Sequence, residues 1–346
     1  MAAAARIAVE RALGRAIVGL PPTVQRLLFG APVVRGGVRL DPAMQALCKL
    51  DARLDEQDPN RITVEEARLS LRRDTAVAGD RPRPMAEVRA VDAGGVPARL
   101  YVPPETPPPA PLVVYYHGGG HVVGDLETHD PTCRFLAREA TVRVLAIDYR
   151  LAPEHPFPAA VQDAVAAYRH AAAHAAELGA DPARLAVAGD SAGGNLAAVV
   201  AQETAHDDIP PAFQLLIYPV VDFTRERASY ELFADGFLLT RAKIHWYRAH
   251  YLPDDEAASD PRASPLVRED LAGLAPAHIT TAGFDPLRDE AEEYAARLRA
   301  AGVPVTLRRY AGAAHGHASM VGLGKPLLGP AREIAAALRW ALAGRP

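Results

Sequence analysis

From residue 110 onward, short continuous apolar runs alternate with longer stretches of helical periodicity. The runs Leu112–Tyr116, Val142–Ile147, Leu185–Ala188, Phe213–Tyr218, His278–Ala282 and Val305–Tyr310 fit strands covered on both faces. Between them Thr132–Ala140, Ala159–Glu177, Ser191–Glu203, Leu287–Ala301 and Arg332–Leu342 predict helices. This order predicts an α/β fold with a mainly parallel central sheet flanked by helices. Two further strands, Val88–Val91 and Ala98–Val102, precede the proline-rich loop Pro103–Pro111.

Two stretches break the rhythm. Residues 1–50 read as amphipathic helix interrupted at Pro21-Pro22 and between Gly30 and Pro42, which predicts an N-terminal helical cap segment. Residues 222–262 hold no strand pattern, and after Thr240 a helix carries Ile244, Trp246, Tyr247 and Tyr251 as its bulky residues. This is an inserted cap segment over the carboxyl edge of the sheet, where open α/β folds bind ligands, with Ile244 and Tyr247 as candidate pocket residues. Residues 51–221 and 263–346 then form the α/β core.

The chain of 346 residues is 49% hydrophobic with a formal net charge of −4. It can bury a large core, and nothing in its net charge recruits nucleic acid or an anionic membrane. Cys48 and Cys133 lie far apart without a CxxC or Cys/His ligand pattern, so neither a disulfide framework nor a zinc site is expected. Arg6, Glu10, Arg11 and Arg15 interrupt the apolar N-terminus before a membrane span or signal sequence can develop. The expectation is a cytoplasmic protein without stable membrane insertion, and homodimerisation is left open.

The candidate chemistry centres on Gly189-Asp-Ser191-Ala-Gly193, between a predicted strand and a predicted helix. A serine hydroxyl is a weak nucleophile until a base, an orienting acid and oxyanion donors surround it. A serine merely capping a helix would need none of these, so each was sought. His117-Gly118-Gly119-Gly120 ends an earlier strand, and its glycine N–H groups, with that of Ala192, are the candidate oxyanion donors. His117 reads as a brace for the loop. For the base, His315 in Gly312-Ala-Ala-His315-Gly316 lies before the last helix, with His317 as competitor. For the acid, Asp285 follows the strand His278–Ala282; Asp222 is its rival and Asp289 a helix-start residue.

Together with Asp148–Pro158, these segments stand in the order that resembles the hormone-sensitive-lipase-like bacterial carboxylesterases of the α/β-hydrolase superfamily, over residues 85 to 346. The resemblance implies a cofactor-free serine esterase acting on a small-molecule ester, with Ser191 as nucleophile, His315 as general base and acid, and Asp285 as orienting carboxylate. The first 50 residues are similar in position to that family's N-terminal cap. An amidase, a lactone hydrolase or a receptor on the same fold are the alternatives, and His315 favours catalysis. The chain departs from the family at His121 and His317, where aromatic residues are usual. Two readings stand for them: they line the substrate cleft and make it more polar, favouring short acyl groups or an oxygen-rich substrate, or they simply replace packing rings at the loop.

Overall fold

The computed structural model describes residues 2–54 and 62–343; Met1, residues 55–61 and residues 344–346, which fall in the predicted cap and core segments, lie outside the described residues. The chain opens with α1 (Ala2–Gly19) and α2 (Pro22–Phe29), a ribbon of β1 (Val34–Arg35) and β2 (Val38–Arg39), then α3 (Pro42–Leu54) and α4 (Val64–Ala78). The sheet strands are β3 (Glu87–Asp92), β4 (Pro97–Val102), β5 (Ala110–Tyr116), β6 (Arg143–Ile147), β7 (Ala180–Asp190), β8 (Phe213–Ile217), β9 (Ala277–Phe284) and β10 (Val305–Ala314). Their helices are α5 (Asp130–Ala140), α6 (Ala159–Ala173), α7 (Ala192–Glu203), α8 (Ala228–Leu232), α9 (Arg241–Tyr251), α10 (Arg288–Ala300) and α11 (Lys325–Leu342).

The eight strands order as β10-β9-β8-β7-β5-β6-β4-β3. From β10 to β6 every pairing is parallel, and β4 and β3 add an antiparallel edge. The expected α/β-hydrolase architecture is therefore present. Alternation along β5 separates two cores. Leu112, Val114 and Tyr116 pack on the side that buries Ala164 and Ala167 of α6 and Leu196 of α7. Val113 and Tyr115 face the side that buries Leu136 of α5 and Ile334 of α11.

A third core joins distant parts of the chain. Leu40, Ala43 and Met44 from the N-terminal segment share it with Phe233, Phe237, Phe284, Ala314 and Leu323. Phe284 and Ala314 immediately precede the candidate acid and base, so the N-terminal helices support the loops that carry both.

Several boundaries differ from the sequence reading. The helix predicted over 159–177 ends at Ala173, and β9 and β10 run on to Phe284 and Ala314. The extension of β10 follows a register shift between Tyr310 and Ala314, where glycine and alanines give no strand signal. Helix α4 was not predicted, because none of its residues is buried and its apolar face is weak. Its one clear signal is a capping box in which Thr63 accepts from the Glu66 N–H and Glu66 accepts from the Thr63 N–H.

Candidate active site

Strand β7 runs into α7 through a single residue, Ser191, held at φ 55° and ψ −118°. An L-residue at positive φ costs about 1–3 kcal/mol and persists only where its surroundings enforce it. Here the Ser191 N–H is tied to the Ile217 carbonyl at 2.9 Å, and its carbonyl accepts from Asn195 at 3.0 Å. Both flanking glycines are required. A Cβ on Gly189 would overlap the Gly193 backbone, and one on Gly193 would overlap the Tyr116 carbonyl. The turn is thus tight enough to lift the serine clear of the sheet edge with the first turn of α7 beneath it.

The Ser191 hydroxyl lies 3.0 Å from Nε2 of His315, and His315 Nδ1 lies 2.7 Å from Oδ2 of Asp285. The carboxylate can only accept, so Nδ1 carries the proton and Nε2 is free to receive the serine's. Asp285 is fully buried, and its other oxygen accepts from the Leu287 N–H at 2.9 Å. That bond fixes the carboxylate at the start of α10. The Tyr218 ring, its centroid 4.6 Å from that of His315, limits how far the imidazole can swing.

The rivals are occupied elsewhere. Asp222 pairs with Arg227 at 2.5 Å and accepts from the N–H and hydroxyl of Thr224. Asp289 accepts from the Ser229 N–H and pairs with Arg288. His317 is 1% exposed and edge-on to Tyr218 and Tyr310, with Nδ1 donating to the Ala314 carbonyl at 3.2 Å.

The glycine loop requires a correction. Gly118 is not available to an oxyanion, because its N–H donates to Asp190 Oδ1 at 3.0 Å. Among the described residues no backbone bond occupies the N–H of Gly119 or Gly120, and both adopt positive φ, 123° and 60°. The candidate donors are therefore Gly119, Gly120 and, at the first position of α7, Ala192. On the far side of the loop, Tyr247 of α9 packs directly over Gly120, where any Cβ would strike its ring. Ile244, a turn earlier, is buried with Val220, Tyr230 and Leu287 rather than over the serine.

His121 and His317 do not present a polar wall. His121 is 1% exposed, stacked on Tyr251 at 3.8 Å, and neither ring nitrogen finds a partner among the described residues. Burial pushes its pKa down to about 3 and that of His317 to about 4, so both are neutral packing rings.

The family described as alpha/beta hydrolase fold matches residues 113–319, the stretch that contains the whole constellation. The chain is a hormone-sensitive-lipase-like α/β-hydrolase. This hydrolase is 45% identical over 339 residues to the carboxylic ester hydrolase LipN of Mycobacterium tuberculosis, covering 92% of this chain and 88% of that one. It is 38% identical to an ethyl acetate hydrolase of Pseudomonas putida over 73% of its own length and 83% of the relative's. Among solved structures, an ester hydrolase from the metagenome of Lake Arreo superposes with a TM-score of 0.83 at 42% identity, covering 87% of this chain and 98% of that one.

What sequence reasoning missed in this hydrolase is the support beneath the glycine loop. Asp190, inside the serine motif itself, accepts from the Tyr115 hydroxyl at 2.6 Å and from Gly118, and lies 3.5 Å from His129 Nε2. Burial opposes its ionisation, but His129, the Tyr115 hydroxyl and His117 hold its pKa at about 2. Above it, His117 donates to the Gly118 carbonyl at 2.8 Å and its own carbonyl accepts from Tyr149 at 2.6 Å, which makes it the brace the sequence suggested. Glu290 was also overlooked. It is wholly buried, accepts from the Val221 N–H at 2.8 Å, and lies 3.0 Å from the Tyr230 hydroxyl.

Proposed function

We propose that this hydrolase cleaves short- to medium-chain carboxylic esters through an acyl-enzyme, with Ser191, His315 and Asp285 as its triad. The observation that carries the reading is the continuous chain from the Ser191 hydroxyl through His315 to buried Asp285. Ser191 attacks the ester carbonyl as His315 Nε2 takes its proton. The N–H groups of Gly119, Gly120 and Ala192 receive the oxyanion, His315 protonates the departing alcohol, and a water deprotonated by the same ring releases the acid. Asp285 keeps the imidazole in the productive tautomer and stabilises its charged form.

Tyr247 over Gly120 supports the assignment of residues 222–262 as a cap and limits the length of acyl chain beside the oxyanion loop. The relative named ethyl acetate hydrolase supports the same short-chain preference. The shared core of Leu40, Ala43 and Met44 with Phe284 and Ala314 supports residues 1–50 as a second cap element. Two buried free thiols, Cys48 and Cys133, fit a cytoplasmic location.

A panel of p-nitrophenyl esters from acetate to palmitate, run on wild type and Ser191→Ala, tests the reading. Turnover of the shorter esters by wild type alone is expected, with labelling of Ser191 by a fluorophosphonate. An unlabelled wild type, or full turnover by Ser191→Ala, would overturn it.

A further inference from the structure

The chain's charge is unevenly distributed. Residues 1–40 carry six arginines and one carboxylate, Glu10, in a protein whose net charge is −4. In the fold Arg11 and Arg15 point inward, to the carbonyls of Ala76 and Gly322. Arg26, Arg35 and Arg39 are exposed and have no carboxylate partner among the described residues.

The same segment is apolar at positions where solvent should favour polar residues. On α1 the positions 9, 12, 13 and 16 share one helical face, and all four are exposed and apolar: Val9 is 66% exposed and Leu13 56%, with Ala12 and Ala16 between and after them. The following helix, α2, exposes Leu27 at 84% and Leu28 at 57%, and β1 exposes Val34 at 51%.

Two buried glutamines weld these pieces together. The Gln25 amide donates to the carbonyls of Ile17 and Val18 at 2.9 and 3.1 Å, locking α2 onto the end of α1. The Gln45 amide donates to Phe29, Gly30 and Ala31, while its oxygen accepts from the Val33 N–H, locking the ribbon onto the end of α2. The exposed leucines and the unpaired arginines therefore ride on one preassembled unit.

We infer that this face is a docking surface for an anionic lipid membrane. Unpaired cations beside exposed aliphatic side chains match a layer of acidic headgroups above acyl chains, and the arrangement is that of a helix lying in the interface. Among the described residues no helix is long and apolar enough to cross a membrane, so the contact is adsorption. The inner side of the same segment holds Phe284 and Ala314, so docking would present the substrate site at a fixed orientation to the lipid layer.

Co-sedimentation of the full-length protein with phosphatidylcholine vesicles, with and without phosphatidylglycerol, tests the inference. The three free cations are each worth about a fivefold gain in partitioning near an anionic surface, so Arg26→Gln/Arg35→Gln/Arg39→Gln is expected to lower binding roughly a hundredfold. Leu13→Glu/Leu27→Glu is expected to abolish it, and raised salt to weaken the wild type. Near-ultraviolet circular dichroism confirms that each variant is folded, independently of its esterase activity, and the lipid and salt dependence of wild type stands without any variant. Absence of wild-type binding to the anionic vesicles would overturn the inference, as would equal binding to phosphatidylcholine alone. It would also fall if light scattering showed a wild-type dimer that Leu13→Glu/Leu27→Glu converts to monomer while neither binds vesicles, because the face would then be a contact between two copies of this chain.

Discussion

Asp190→Asn separates the charge beneath the glycine loop from its hydrogen-bonding shape. The asparagine oxygen still accepts from Gly118 and Tyr115, so the loop keeps its position while the negative charge facing His129 is lost. Asp190 titrates at about 2 against an ordinary 3.8, a gap worth about 2 kcal/mol. Because the folded-state pKa is the lower one, this stability is complete above pH 3.8 and disappears as pH falls through 2. Urea unfolding followed by tryptophan fluorescence should therefore show Asp190→Asn less stable than wild type by about 2 kcal/mol at pH 7, with the two curves converging between pH 4 and 2. Its kcat on a soluble ester should stay within several-fold of wild type. Asp190→Ala, by contrast, strands the Gly118 N–H and the Tyr115 hydroxyl at about 1–3 kcal/mol each and frees the oxyanion loop, so kcat should fall about a hundredfold. Parallel stability curves for wild type and Asp190→Asn across that pH range, or undiminished turnover by Asp190→Ala, would refute the reasoning.

Asp285→Asn leaves the chain of hydrogen bonds nearly unchanged but permits the wrong imidazole tautomer, and should cut kcat by roughly 10⁴ with little change in KM. His121→Phe removes two buried nitrogens that lack partners while keeping a ring against Tyr251; it should raise stability by about 1 kcal/mol in thermal unfolding and leave the acyl-length profile unaltered. Burial drives Glu290 up to about 8, so the stability it contributes is complete below its ordinary 4.5 and is lost as pH rises through 8. Glu290→Gln should match wild type near pH 4.5 and exceed it above pH 8, by up to about 5 kcal/mol, in urea titrations at the two pH values.

The interior strands were legible because parallel strands buried on both faces read as apolar runs, as Leu112–Tyr116 and Phe213–Ile217 do, whereas the edge strand β10 is largely exposed over Val305–Arg309. The candidate serine, base and acid that the structure brings together were legible because each sits where a strand ends, and their chain order restricts the choice. Residues whose roles depend on three-dimensional neighbours were not. Gly118, Gly119 and Gly120 are identical as letters, and only the contact with Asp190 distinguishes the first from the other two. His121 and His317 suggested a polar cleft, yet the rings of Tyr251, Tyr218 and Tyr310 enclose them. Asp190 received no role from the sequence, since nothing local in the serine motif announces a carboxylate that reaches back to Tyr115 and Gly118.

The core that joins Leu40 and Met44 to Phe284, Ala314 and Leu323 also sets a schedule for the newborn chain. The Arg15 side chain reaches the Gly322 carbonyl across 307 positions, and Ser191 waits 124 positions for His315. A ribosome-bound fragment that ends before residue 315 can expose the serine, but it lacks the His315 imidazole and the Gly322 partner of Arg15. Under the proposed mechanism such a fragment is chemically silent toward esters.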